Sequence, residues 1–349
     1  MLETLLMAAL VPRWAERPLL KGKQMDSEPV LFIQQAGSAV ATGRLVFTPT
    51  KPPILRSPDL DVTYKEGIDY RWKPGSSTIE LIEGSQIPFK THAEMVPPKG
   101  SANTLMGVLF SEGRYFHDLQ VLASYPHKDS WPLKSPPTQG GLIRTLARLR
   151  AKNPLKIVAL GDSITEGYNA SGFAKSLAPP HQPAYPGLVA EILQKRFSSK
   201  VTLANLGVAG TTADWGLTQV PKLAEEKPDL VILAFGMNHS QAGPEFEDVM
   251  RKLCEAVKTA CPNADLILVA SMTGNPIAFP TERFIGYRHA LSNLVSSKIS
   301  LADVTTPWLE LLKHKNFSDI SGNNINHPND FGHRLYAEVI CQLLHSNAR

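Results

Sequence analysis

Four short stretches, far apart in the chain, carry the residue types that acyl transfer needs. They are Gly161-Asp162-Ser163, the run from Asn205 to Gly210, Gly236-Met237-Asn238, and the run from Asn324 to His327. Acyl transfer requires a nucleophilic hydroxyl, a base to take its proton, and donors aimed at the oxyanion that develops. Ser163 supplies the hydroxyl. His327 supplies a base that can later protonate the leaving alcohol. The backbone N–H groups of Ser163 and Gly210 and the side-chain amide of Asn238 supply donors, and a glycine at 210 brings its backbone close without a Cβ clash. Each residue alone has a plainer reading: Ser163 and Asn238 as helix caps, Gly210 as a turn glycine, His327 as a loop histidine. Their placement relative to the predicted elements separates the two readings.

From Lys156 onward the chain alternates short apolar runs with helical patterns. The strand candidates are KIVAL, VTLANL, DLVILAF, ADLILVA and ISLADV; the helix candidates include PGLVAEILQKRF, TADWGLTQVPKLAEE, PEFEDVMRKLCEAVKTA and DFGHRLYAEVICQLL. Continuous apolar strands between helices predict a parallel sheet covered on both faces. Ligands in such sheets bind at the carboxyl ends of the strands. Three of the four stretches directly follow a predicted strand and the fourth precedes the last helix, so all four gather at one sheet edge. Residues 1–130 read differently. VLFIQ, GRLVF, DVTY, DYRW, STIELI and LQVLASY are short β-type runs separated by Pro and Gly clusters, which predicts a sandwich or jelly roll. Residues 131–153 then read as a Pro-rich linker and a connecting helix, and 154–349 as the α/β domain.

Length agrees with two domains, since 349 residues exceed one compact core. A net charge of +4 with no basic block gives no support to nucleic-acid binding, and no apolar run is long enough to span a bilayer. The lead-in MLETLLMAALVPRW carries Glu3 and no early basic residue, which favours a cytoplasmic location over secretion. Cys254 and Cys261 stand about 10 Å apart along a predicted helix, too far for a disulfide, and with Cys341 are expected to be buried free thiols. His239, His327 and His333 lack metal-ligand spacing, so neither metal nor cofactor is expected.

At this point the four stretches resemble the SGNH (GDSL-type) hydrolases. Ser163 in GDSITEG, Gly210 in NLGVAG, Asn238 in GMN and His327 in NHPND match that family's four name-giving residues in order, over about the last 200 residues. The resemblance implies a flavodoxin-like three-layer α/β/α fold with a five-stranded parallel sheet and a serine esterase activity. A β-sandwich before such a domain is similar to the layout of some carbohydrate O-acetyl esterases, which implies a short acyl group, acetyl foremost, on a carbohydrate or other small-molecule ester. A short-chain or lysophospholipid esterase is the alternative enzyme, and a non-catalytic glycan-binding protein the alternative class. Two positions depart from the family. Asn324 stands where an Asp usually orients the histidine, and His239 where an Asp follows Asn238. Asn324 is expected to hold the His327 ring through its amide oxygen, less well than a carboxylate would; otherwise the site runs as a Ser-His dyad or recruits another acid, with Asp330 and Asp303 as candidates. Asp330 is otherwise a cap of the last helix. Asp162, Tyr168, Trp215 and His239 are candidate substrate contacts, with His181 and Tyr185 beside Tyr168 on the long segment 168–187.

Overall fold

The computed structural model describes residues 19, 22–132, 141–240 and 243–344. The lead-in and most of the Pro-rich linker lie outside the described residues.

In the N-terminal half, ten strands follow one another: β1 Gln24–Val30, β2 Phe32–Gln34, β3 Ala41–Arg44, β4 Ile54–Arg56, β5 Tyr70–Trp72, β6 Thr78–Leu81, β7 Phe89–Thr91, β8 Thr104–Leu105, β9 Val108–Leu109 and β10 Val121–Pro126. Two helical turns interrupt them, α1 His92–Met95 and α2 Tyr115–Leu119. The order β1-β10-β4 forms one antiparallel sheet, β5-β6-β3-β2-β7 a second sheet, and β8-β9 a hairpin. Gly43 lets the layers approach: a Cβ there would stand 2.3 Å from Val30 Cγ1. The expected strand DVTY is reduced to one bridge residue, Thr63. Its backbone pairs with β4 through a single antiparallel bridge, Thr63 to Arg56, because the turn held by Ser57 Oγ to Asp61 Oδ1 at 2.6 Å and Val62 N to Ser57 Oγ at 3.0 Å leaves too short a stretch for a strand. Conversely, β1 is a strand with no apolar alternation (QMDSEPV), its pairing with β10 supplied by tertiary context.

The five apolar runs of the second half form β11 Leu155–Gly161, β12 Val201–Asn205, β13 Leu230–Ala234, β14 Asp265–Ala270 and β15 Ile299–Asp303, all parallel, in the order β12-β11-β13-β14-β15. Every residue of β13 and β14 is buried, as a strand covered on both faces requires. The helices are α3 Ile143–Arg150, α4 Ser163–Glu166, α5 Tyr185–Phe197, α6 Ala213–Thr218, α7 Val220–Glu225, α8 Pro244–Ala260, α9 Thr281–Ser292, α10 Thr305–Leu311, α11 Phe317–Ile320 and α12 Asp330–Leu343. The helices α3 and α12 pack on α5, while α6, α7 and α9 pack on α8, which gives the three layers. The predicted helix TADWGLTQVPKLAEE is two pieces, because Pro221 begins a new helix rather than continuing the old one. The chain runs from β11 outward to β12, then back across β11 to β13. That reversal is at β11, and in open parallel sheets ligands bind at the carboxyl ends of the strands beside such a reversal, where Ser163 follows.

The β-rich half docks on the segment 313–334. Lys315 Nζ lies 2.8 Å from Glu28 Oε1 with both side chains wholly buried, and it also donates to Arg44 O. Leu31 N donates to Asp319 Oδ1 at 2.7 Å, and Gln120 Nε2 donates to the carbonyls of Ser318 and Ser321. One apolar cluster runs through both halves.

Candidate active site

Ser163 opens α4 directly after β11. Gly161 must precede it: a Cβ there would meet Thr165 Oγ1 at 2.2 Å and Ala234 O at 2.5 Å. Asp162 caps α4, its side chain accepting from Ile164 N at 3.0 Å, and it also accepts from the backbone of Met237. That carboxylate ties the serine turn to the loop bearing Asn238. Burial raises the Asp162 carboxyl to about 6. The second stretch is fastened to the same short helix: Asn205 Nδ2 donates to Thr165 O at 2.7 Å, and Ala209 N donates to Glu166 Oε2 at 2.6 Å. Gly210 carries φ +78°, and a Cβ on it would meet no protein atom within 4 Å. Within the protein, what requires glycine is therefore the left-handed backbone, not the close approach expected from the sequence. Asn238 Nδ2 donates one proton to Thr211 O at 3.0 Å, which fixes its plane and leaves a second amide proton on the same nitrogen.

His327 Nε2 stands 2.9 Å from Ser163 Oγ. Both residues are almost wholly buried. The loop that holds the histidine is shaped by Asn323, whose Oδ1 accepts from the backbone N–H groups of Ile325, Asn326 and His327. On the far side of the ring, Nδ1 lies 2.9 Å from Asn169 Oδ1 and 3.3 Å from the Glu112 carboxylate. Asn169 Nδ2 donates to Gly113 O and Gly322 O, both at 3.0 Å. Those two bonds orient the amide so that its oxygen, an acceptor, faces Nδ1. The ring proton therefore sits on Nδ1, and Nε2 offers a lone pair to the serine hydroxyl. Asn323 Nδ2, at 3.0 Å from Nδ1, has acceptors for its own protons in Glu112 Oε1 and Asn326 Oδ1. The His327 ring is thus placed to take a proton from Ser163 Oγ.

The structure thus gathers Ser163, Gly210, Asn238 and His327 at one edge, and treats the other named residues differently. Asn324 does not hold the His327 ring. Its Nδ2 donates to Leu109 O at 2.9 Å and its Oδ1 faces Asn275 Nδ2 at 3.3 Å. Its φ of +63° turns it away from the ring. Asp330 is not the cap of the last helix; Asn329 is, accepting from Gly332 N at 3.2 Å. Asp330 instead accepts from Ser171 N at 2.8 Å and Ser171 Oγ at 2.6 Å, pinning the long segment 168–187 to α12. Asp303 is taken up by Arg288 and Thr306. His239 keeps a ring nitrogen against the start of α6, accepting from Ala213 N at 3.0 Å, and burial lowers its tendency to charge. Trp215 packs on the core, and Tyr185 is fully buried with its hydroxyl on Thr165, so Tyr185 is no wall of a cleft. Tyr168 does face the site: its ring lies 5.0 Å from the His327 ring, and its hydroxyl takes Lys175 Nζ at 2.6 Å. The three cysteines are buried and free. Among the described residues no group of His, Cys, Asp and Glu has the form of a metal site, and no helix is long and apolar enough to cross a membrane.

Sequence reading missed Asn169 and Glu112. Asn169 closes the stretch GDSITEGYN itself, but nothing local marks an asparagine there as a partner of a residue 158 positions later. Glu112 sits in SEGRY, in a half read as a separate domain.

His333, one turn beyond the site, is wholly buried. Its Nδ1 accepts from Tyr185 N at 3.3 Å and its Nε2 lies 3.1 Å from Tyr168 O, so it supports the backbone under Tyr168. Burial drops its pKa to about 4. In the unfolded chain a histidine charges near 6.5, so the unfolded state takes up a proton first as pH falls. Stability contributed by neutral His333 is complete above about 6.5 and declines down to about 4. This residue alone is expected to cost about 2 kcal/mol of unfolding free energy between pH 7 and pH 5. Denaturant titrations at the two pH values check it: the difference shrinks by that amount in His333→Gln.

A model of the GDSL-like lipase/acylhydrolase family matches residues 159–335. Thioesterase 1/protease 1/lysophospholipase L1 of Escherichia coli K12 is 29% identical over 132 residues, which cover 37% of this chain and 56% of that protein. The chain therefore spans little more than half the length of that relative. Among solved structures, a two-domain esterase (CEX) active on acetylated mannans superposes with a TM-score of 0.48 at 24% identity, covering 59% of this chain and 54% of that one. An acetyl xylan esterase from Geobacillus stearothermophilus gives 0.43 at 19% identity, covering 54% and 94%. Because one family model runs unbroken through Ser163, Gly210, Asn238 and His327, the chain belongs to the GDSL-like lipase/acylhydrolase family.

Proposed function

We propose that this enzyme hydrolyses short-chain esters, acetyl esters of a carbohydrate foremost, through an acyl-enzyme on Ser163. The observation that carries the mechanism is the 2.9 Å contact between Ser163 Oγ and His327 Nε2. His327 takes the serine proton as Oγ attacks the ester carbonyl. The oxyanion forms against the N–H groups of Ser163 and Gly210 and the amide of Asn238. His327 then gives the proton to the leaving alcohol, and a water activated by the same nitrogen releases the acid. The preference for a polar alcohol rests on the rim. Beside the histidine stand the Tyr168 hydroxyl, the exposed Lys175 ammonium and the exposed Glu112 carboxylate. These groups suit a polyhydroxylated alcohol better than an alkyl chain. The names of the two esterases similar in fold, active on acetylated mannans or acetyl xylan, agree with that preference without carrying it.

A second reading has its own observation. Leu105 and Met106 at the tip of the β8-β9 hairpin are exposed, as is Ile277, whose Cγ2 lies 4.0 Å from a Cβ placed on Gly107. Through Leu109 and Asn275 this apolar patch borders Asn324, and so the histidine loop. It suits a longer acyl chain, as in a lysophospholipid. Rates on p-nitrophenyl acetate, butyrate and octanoate, with acetate release from acetylated mannan and xylan oligosaccharides, decide between them. Acetate is expected to exceed octanoate at least tenfold in kcat/KM; the reverse order, or faster release of fatty acid from lysophosphatidylcholine, overturns the proposal.

A further inference from the structure

We propose that Glu112, carried by the β-rich half, is the charged partner of His327, so that the N-terminal half completes the active site of the C-terminal one. The inference rests on the serine–histidine reading above and deepens it.

The position three residues before the histidine is an amide, and that amide is spent on Leu109 O and Asn275. Among the described residues, the carboxylate within 4 Å of the His327 ring is Glu112, at 3.3 Å from Nδ1 through Oε1 and 3.4 Å through Oε2. Asn169 and Glu112 divide the work. The Asn169 oxygen, at 2.9 Å, is neutral and fixes the ring and its tautomer. A neutral oxygen gives little to the imidazolium that forms when Ser163 loses its proton; a carboxylate gives a full opposite charge. The Glu112 carboxylate and the stretch around it are tied to the histidine loop. Oε1 accepts from Asn323 Nδ2 at 3.0 Å, the same asparagine that shapes the histidine loop. The next residue, Gly113, gives the carbonyl that orients Asn169. Leu109 O anchors Asn324, and Gln120 grips Ser318, Ser321 and Asn329. One stretch of the β-rich half, 109–120, therefore braces the histidine loop at several points. The buried Lys315–Glu28 pair behind it keeps the two halves in register. Burial works against charge on Glu112, yet its hydrogen bond to His327 and the charge of that ring bring its carboxyl below the usual range. It is 41% exposed, which screens the interaction, so a moderate effect is expected rather than the very large one of a buried acid.

Other charged groups also bear on the ring. Asp162 acts from the serine turn, neutral His333 from α12, and Lys175 from the long loop, where it offsets part of the Glu112 charge. All of them persist in Glu112→Gln, which keeps an oxygen for Asn323 and removes only the charge. Two readouts test the proposal. In the first, the imidazole resonance of His327, identified by its loss in His327→Gln, is titrated by NMR with no substrate present. Its midpoint is expected to fall by about half a pH unit or more in Glu112→Gln, because the imidazolium loses its counter-charge. In the second, kcat on p-nitrophenyl acetate falls about 10–100-fold with KM within about twofold, the acid limb of kcat/KM moves to lower pH, and Glu112→Asp recovers part of the loss. An unmoved NMR midpoint overturns the proposal, even where kcat falls, since a brace alone would lower kcat without moving the titration. Failure of the serine–histidine reading looks different: Ser163→Ala would then keep the wild-type rate whatever Glu112 does.

Discussion

Ser163→Ala is expected to abolish turnover, with kcat on p-nitrophenyl acetate falling about 10⁴–10⁶-fold, and His327→Ala is expected to match it within an order of magnitude. The two residues act as one device. Oγ is a poor nucleophile while it keeps its proton, and Nε2 at 2.9 Å has no proton to move when Oγ is gone. Losses from such a unit do not add, so the double variant should be no worse than the worse single one. What survives comes from the donors alone, which still bind the oxyanion of a water attack. The measurement is kcat for the two single variants and the double, paired with the mass shift left by a fluorophosphonate. Wild type should gain one adduct on Ser163, His327→Ala should gain it far more slowly, and Ser163→Ala should gain none. A Ser163→Ala enzyme that turns over at the wild-type rate would remove the nucleophile from the mechanism. Loss of folding is a small risk in the serine variant, for only Oγ is deleted. Its helix N–H and the Asp162 cap on Ile164 stay in place.

The parts of this site that were legible in the sequence are those that follow a strand. A buried parallel strand announces itself as a continuous apolar run, and the fold delivers whatever follows it to one edge; Ser163, Gly210 and Asn238 are placed by that rule alone. His327 was legible because it precedes a helix whose apolar face is regular. The residues that orient it were not. Asn169 reaches Nδ1 only because Gly113 and Gly322 pin its amide, and both carbonyls come from distant loops. Asn324 showed the converse failure. Its spacing from the histidine suggested a contact, but a backbone in the left-handed region swings its side chain toward Leu109. The β-rich half was the hardest to read. Its strands are short and several are polar, and β1 is held by its partner β10 rather than by its own pattern. Side-chain orientation at a loop is decided by long-range hydrogen bonds, and these leave no periodicity behind.

The second large effect belongs to Asn238. Its Nδ2 is held by Thr211 O at 3.0 Å, and the neighbouring Met237 N–H is held by Asp162. The amide is therefore positioned before substrate arrives, and no reorganisation is needed when charge develops. Asn238→Ala is expected to lower kcat about 10²–10³-fold, or about 2.7–4 kcal/mol of transition-state stabilisation. KM should stay within a few-fold, because a ground-state carbonyl draws far less from this donor than an oxyanion does. Asn238→Asp should be worse than Asn238→Ala, since a carboxylate there would repel the charge that the alanine merely fails to hold. A residue serving only to cap a turn would behave in another way. Its loss would lower the unfolding midpoint and leave kcat of the folded fraction intact, and aspartate, a good cap, would rescue it. The order of the two variants in kcat, read beside their midpoints, therefore separates an oxyanion donor from a structural amide. An aspartate variant as active as wild type would take Asn238 out of the mechanism and leave the oxyanion to the backbone donors of Ser163 and Gly210.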